Sequence, residues 1–316
     1  MEKRMFGHTE MQVAPLAFGG NVFGWTVDEA RSFELLDRFV AEGFNLVDTA
    51  DVYSTWAPGN KGGESEIIIG NWMKKRGNRQ ELVIATKVGG DMGQGKTLSK
   101  KWVMQACEDS LRRLQTDYID LYQTHWDDVS TPVGETLEAY TQLIKEGKVR
   151  VIGTSNMSPE RLRESLEYSR GNKLPSYQSL QPEYNLYNRE KYEKQYEPIV
   201  KDEGMAVMCY YSLASGFLTG KYRSEEDVSK SARGGGVVKN YLNERGLRIL
   251  QALDEVAARY HSKPATVALA WLIARKTISA PIASATSIPQ LEDLMKSAQL
   301  GLDEDAVKLL DEASRY

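Results

Sequence analysis

Short runs of β-branched and apolar residues alternate along this chain with longer stretches whose apolar positions recur every three or four residues. Runs of the first kind predict strands and stretches of the second predict amphipathic helices. The strand-like runs fall at 16–18, 46–48, 82–86, 119–122, 149–154, 179–181, 206–210 and 279–282. Helical spacing fills 28–42, 65–75, 102–114, 135–146, 160–169, 192–203 and 267–274. Two helix starts carry the expected capping chemistry: Ser99 ahead of Lys100, and Ser158-Pro159 ahead of Glu160.

Eight strands, each followed by a helix, predict an α/β fold of the (β/α)8 barrel type. Ahead of the first barrel strand, Gly7-His8-Thr9-Glu10 lies between two short apolar pieces and predicts a β-hairpin plugging the barrel bottom. Two segments fall outside the repeat. Residues 223–240, charged and containing Gly234-Gly235-Gly236, predict a mobile loop after the seventh strand, and 303–314 predict an extra helix at the carboxyl end. No Pro/Ser-rich linker divides the chain, so residues 1–316 are expected to form a single domain.

Composition changes this picture little and mainly excludes. At 316 residues the chain is long enough to bury a core without metals or disulfides, and 41% hydrophobic with 27% charged residues is ordinary for a folded protein. A formal charge of −4 argues against nucleic acid as a partner, since a general binder carries a basic face. The charged amino terminus has no apolar run behind it, and the longest apolar stretch, 265–274, is too short to span a bilayer. Neither a membrane nor a metal set is expected. The two cysteines, Cys107 and Cys209, are expected to be buried reduced thiols, which makes the cytoplasm the expected compartment.

Barrel enzymes carry their working groups where the strands end. Here the second strand ends in Asp48 with Tyr53 just beyond, the third in Lys87, and the fourth in His125. The later strands end in Ser155-Asn156, Gln181 and Tyr210, and the last runs into Ser284 and Thr286. A phenol titrates near 10, so Tyr53 needs help to act as an acid at neutral pH. A neighbouring Lys87 ammonium would favour the phenolate and draw that value down, although burial acts in the other direction. Asp48 would pair with Lys87, and His125 would orient a substrate carbonyl. A carbonyl polarised in this way needs a hydride donor that no side chain supplies, and a nicotinamide cofactor is the economical inference.

Structural roles stand beside each of these. Asp48 and Lys87 would be a structural ion pair in the barrel mouth, Tyr53 alone would be a loop residue packing its ring, and His125 would be a satisfied core histidine. Residues 90–97, Gly90-Asp91-Met92-Gly93-Gln94-Gly95-Lys96-Thr97, match the spacing of a phosphate-binding P-loop. The expected helix starts after Ser99 rather than at Lys96-Thr97, so a loop beside the active site is expected instead.

Asp48-Thr49-Ala50-Asp51-Val52-Tyr53, followed by Glu64 and Ile69-Gly70, resembles the signature of the aldo-keto reductases. So do Ser110-Leu111-Arg112-Arg113-Leu114, the run from Asp117 to His125-Trp126, and Ile152-Gly153-Thr154-Ser155-Asn156. Gln181-Pro182-Glu183-Tyr184-Asn185 and Gly216-Phe217-Leu218-Thr219-Gly220-Lys221 complete the series, in the family's order over nearly the whole chain. The resemblance implies reduction of an aldehyde or ketone, or oxidation of the alcohol, with NADP(H) bound on a barrel. It makes Tyr53 the proton donor, Asp48 and Lys87 its tuning pair, and His125 the substrate guide. It assigns Ser155, Asn156 and Gln181 to the nicotinamide amide and Tyr210 to its ring. Tyr211 to Lys221, including Ser212, Leu213, Gly216 and Lys221, would wrap the pyrophosphate with Arg233 as a clamp, and Trp25, Trp56 and Trp126 would wall the substrate pocket.

Two departures from the family pattern matter. The proline of the common Tyr-Ser-Pro-Leu is absent from Tyr210-Tyr211-Ser212-Leu213, which predicts a looser loop. Where the family often sets Lys or Arg against the 2′-phosphate, Ser284, Thr286, Ser287 and Gln290 are uncharged, and Leu294 replaces a common adenine-binding asparagine. A narrow preference between NADP(H) and NAD(H) is therefore expected. The resemblance also admits an alternative, a redox-reporting subunit similar to those of potassium channels, which binds the cofactor without significant turnover.

Overall fold

The computed structural model describes residues 1–231 and 233–316. Strands β1 (Arg4–Met5) and β2 (Gln12–Val13) pair antiparallel with Arg4 opposite Val13, forming the expected hairpin. Its turn depends on Gly7, which has φ +58° and where a Cβ would stand 2.9 Å from Gln178 O. This close approach seats the fully buried Phe6 in a cluster with Val13 of the hairpin and with Ala17, Leu46, Val83 and Leu121 of the barrel strands. The hairpin therefore plugs the barrel bottom.

Eight parallel strands follow: β3 (Ala17–Gly19), β4 (Leu46–Asp48), β5 (Val83–Val88), β6 (Ile119–Thr124), β7 (Val149–Ser155), β8 (Ser179–Gln181), β9 (Ala206–Val207) and β10 (Ile282–Ala283). They are hydrogen-bonded in the order β10-β3-β4-β5-β6-β7-β8-β9. The two ends also meet, because Val207 O accepts from Ser279 N and Ala280 N, and Cys209 O accepts from Ile282 N. The sheet is thus a closed (β/α)8 barrel.

Helices α1 (Glu29–Ala41), α2 (Glu64–Arg76), α3 (Lys100–Leu114), α4 (Val133–Lys145), α5 (Pro159–Asn172) and α6 (Glu197–Glu203) connect successive strands from outside. Asp28 and Ser158 cap α1 and α5 by accepting from Arg31 N and Arg161 N. Ser99 stands at the start of α3 as expected, but its side chain does not cap; Lys100 N instead donates to Glu135 Oε1 of α4 at 2.8 Å.

The chain between β9 and β10 corrects the expectation of a loop over 223–240. It holds a short 3-10 turn at Glu225–Lys230 and then α7 (Gly234–Tyr241), followed by α8 (Glu244–Arg259) and α9 (Pro264–Ile273). Three glycines are poor helix formers, but Val237 and Tyr241, four apart on one face, are buried, and Tyr241 stacks on Phe217 at 5.6 Å. Tertiary burial here overrides propensity. After β10 come α10 (Ile288–Met295) and the expected terminal helix α11 (Glu304–Ala313), capped by Asp303. Among the described residues no helix is long and apolar enough to cross a membrane. Cys107 and Cys209 are buried and unbridged.

Candidate active site

Parallel register levels the strand ends that carry the polar groups. Gly19, Asp48 and Ala85 are aligned across β3, β4 and β5, and Lys87 is paired with Gln123 across β5 and β6. His125 lies one residue past β6, tied by its N–H to Val88 O at 2.7 Å. Tyr53 enters from the loop after β4, whose first turn closes through Tyr53 N to Ala50 O.

The four side chains meet. Lys87 Nζ donates to Asp48 Oδ2 at 2.7 Å, to Thr49 O at 2.8 Å and to Tyr53 Oη at 2.8 Å. Tyr53 Oη donates to Asp48 Oδ2 at 3.1 Å. The His125 and Tyr53 rings stand edge to face with centroids 6.0 Å apart. Lys87 is completely buried and uses all three ammonium hydrogens, so its position is over-determined.

The electrostatics reverse one expectation. Burial, and then the adjacent Asp48 carboxylate, hold the Tyr53 phenol well above the usual tyrosine range; the Arg233 guanidinium pulls it down more weakly. Lys87 was expected to draw the phenol down, but the structure places it in a site where burial lowers its own pKa and Asp48 answers its charge. The resting site therefore holds a protonated phenol, the form that can donate. Burial, then the charges of Lys87 and Lys96, hold His125 well below the usual histidine range, so its imidazole is neutral.

The second oxygen of Asp48 is held by groups of which only one had been singled out. Gln181 Nε2 donates to Asp48 Oδ1 at 2.8 Å, and Gln123 Nε2 lies 3.4 Å from the same atom. Gln123 of β6, two residues before His125, has the same inward phase, and that spacing was the available signal. Behind the site, the buried Asp51 and Glu66 and the partly exposed Arg113 form a further charged group to which the sequence pattern assigned no role. Their signal was weak: one Asp inside a loop and one Glu on a helix.

The residues assigned to the cofactor fall into three groups. Ser155, Asn156, Gln181 and Tyr210 adjoin the four: Ser155 Oγ donates to Gln181 O at 2.8 Å, Asn156 Nδ2 to His125 O at 2.9 Å, and Tyr210 Oη to Asn156 Oδ1 at 2.9 Å. In the second group, Ser212 Oγ binds Cys209 O, Leu213 precedes a kinked 3-10 turn, and Tyr211, Ala214, Ser215 and Gly216 all have positive φ. Lys221 Nζ lies 5.2 Å from the Tyr222 ring, and Arg233 stands over Trp25 at 5.1 Å. In the third, Ser284 Oγ lies 2.7 Å from both Gly19 O and Asn21 Oδ1, while Thr286 Oγ1 donates to Gln290 Oε1 at 3.0 Å.

The three tryptophans assigned to the substrate pocket lie next to Tyr53 and His125 or to one another. Trp25 and Trp56 meet edge to face at 5.7 Å, Trp56 lies 6.1 Å from Tyr53, and Trp126 stacks on His125 at 3.6 Å. The P-loop-like segment is a loop outside any helix, and α3 begins only at Lys100. Its amides are already satisfied: Gly93 N and Gly95 N both donate to Asp91 Oδ1, and Met92 N donates to Gln94 Oε1. An internal carboxylate occupies the place a phosphate would need.

The family model described as "Aldo/keto reductase family" matches residues 15–315. The Escherichia coli protein named "Protein tas" is 31% identical over 97% of this chain and 96% of its own. An E. coli protein named "NADH-specific methylglyoxal reductase" is 29% identical over 99% of this chain and 98% of its own. A rice (Oryza sativa subsp. japonica) protein named "Probable voltage-gated potassium channel subunit beta" is 32% identical over 94% and 91%.

Proposed function

Because this chain belongs to the aldo/keto reductase family, we propose that it reduces a small aldehyde or ketone, or oxidises the corresponding alcohol, with Tyr53 as the proton donor. The observation that carries this reading is the Lys87–Tyr53–Asp48 contact set, three groups within 3.1 Å at a barrel mouth beside a neutral histidine. When bound, NADP(H) or NAD(H) supplies the hydride. His125, neutral, hydrogen-bonds the substrate oxygen and directs it toward Tyr53 Oη. Tyr53 then donates its proton to that oxygen, and the buried Lys87 ammonium stabilises the phenolate left behind. Asp48 fixes Lys87, and Gln181 and Gln123 fix Asp48.

The fit to a nicotinamide cofactor rests on the same face. Ser155, Asn156 and Gln181 present amide and hydroxyl groups next to His125, with Tyr210 bonded to Asn156. The positive-φ residues from Tyr211 to Gly216 form a strained turn, a feature that concentrates at ligand loops. Trp25, Trp56 and Trp126 favour an apolar or aromatic carbonyl. The deciding assay mixes the protein with NADPH or NADH and a panel of aldehydes, ketones and keto sugars, following nicotinamide absorbance. Cofactor binding without oxidation by any carbonyl would instead support the redox-reporting role that the channel-subunit relatives suggest.

A further inference from the structure

Three buried carboxylates lie together beneath Tyr53 with two cations, the buried Lys87 and the partly exposed Arg113. Asp48 pairs with Lys87 at 2.7 Å, and Glu66 pairs with Arg113 at 2.6 Å while accepting from Thr86 Oγ1 at 2.6 Å. Asp51 is the odd group. It is 1% exposed, and among the described residues no cation stands within ion-pairing distance of it. Its Oδ1 accepts from Val52 N at 2.7 Å, and its Oδ2 has no hydrogen-bond partner among the described residues.

The charges of the two pairs cancel, so an ionised Asp51 would add one uncompensated charge and an unpartnered oxygen to a dry site, which is costly. A proton on Asp51 removes the charge, the larger of the two costs. Glu66 from α2, Arg113 from α3, Lys87 from β5, Tyr122 from β6 and Tyr140 from α4 all face its charge. Burial, then Glu66, push its carboxyl up to about 8, against weaker opposite pulls from Arg113 and Lys87.

We propose that Asp51 is a positioning residue that holds a proton at neutral pH and, by releasing it to bulk water in alkaline solution, retunes Lys87 and through it Tyr53. The second half of this rests on the proposed role of Tyr53 as proton donor. Ionised Asp51 strengthens the hold on the Lys87 ammonium proton. It also opposes a phenolate at Tyr53, so proton donation to the substrate becomes harder. Asp51 touches neither substrate nor reacting atom.

The test has two arms. Infrared pH titration of the protein without substrate should show a protonated-carboxyl band that disappears with a midpoint near pH 8 and is missing in Asp51→Asn. This arm needs no turnover, so it decides where the proton sits even if the reductase reading fails. In the second arm, kcat for carbonyl reduction should fall about tenfold through that pH range in the native protein, the factor that one pKa unit represents. Asp51→Asn should hold its rate to higher pH with unchanged cofactor affinity; Asp51→Ser serves if the first variant does not fold. A native protein without the band, or an identical alkaline limb in native and variant proteins, would overturn the proposal.

Discussion

Lys87 Nζ lies 2.8 Å from Tyr53 Oη and 4.5 Å from the centre of its ring, so one buried ammonium addresses both the hydroxyl and the π face of the phenol. Burial and Asp48 leave the phenol protonated at rest, and the ammonium gives its conjugate base an immediate counter-charge. Removing the hydroxyl therefore removes the proton donor and little else. Tyr53→Phe should lower kcat by about a thousandfold, within the usual range for a general acid. NADPH affinity, read by fluorescence titration, should stay within about twofold on that same argument. Retained turnover would remove Tyr53 from the mechanism.

Asp48 and Lys87 are a buried pair, and each alone leaves the other uncompensated. Asp48→Asn or Lys87→Met singly should cost about 3–5 kcal/mol in urea unfolding. The double variant should cost less than the sum of the two, because it removes both charges together. Additive losses would mean that the 2.7 Å contact contributes nothing particular to the fold.

In the unfolded chain His125 titrates near the ordinary histidine value of about 6.5, but in the fold it is held well below that. Above pH 6.5 both states carry a neutral ring, and this group adds no pH dependence. As pH falls below that value the unfolded chain takes up a proton that the folded site refuses, so stability is lost. Unfolding free energies measured from pH 7 down to pH 5 should therefore decline, and His125→Gln should flatten part of that decline. Equal slopes in the two proteins would show that His125 charges freely in the fold.

Among the described residues no unpaired cation stands on α10, the helix that would face a 2′-phosphate. Asp293 of α10 holds Lys263 and Lys296, Glu292 holds Arg38, and Thr286 and Gln290 bind each other. The ratio of kcat/KM for NADPH over NADH should accordingly stay below about a hundredfold, because a charge-assisted phosphate contact is missing. Gln290→Arg should raise that ratio about tenfold. A native preference of several thousandfold for NADPH would show that some other group reads the phosphate.

Much of the fold follows from local pattern. Short continuous apolar and β-branched runs and 3.6-residue spacing place the eight strands and most helices, because each segment carries these signals alone. Asp48, Lys87, His125 and Gln181 could be named together for the same reason: parallel strands of one barrel all end on one face. Helix α7 could not be read this way. Its glycines argue against a helix, and only the burial of Val237 and Tyr241 against a distant segment decides it.

What the sequence by itself determined is the order of elements, the barrel and the residues at its mouth. Only the tertiary structure decided their protonation. Whether Lys87 lowers the phenol or burial raises it depends on solvent exclusion and on the third group in contact, Asp48, and neither is encoded in spacing. The same holds for Asp51. Next to Val52 in a loop it is one acidic residue among many; its lone carboxyl becomes a chemical feature only when α2, α3 and β5 close around it and the charges are counted.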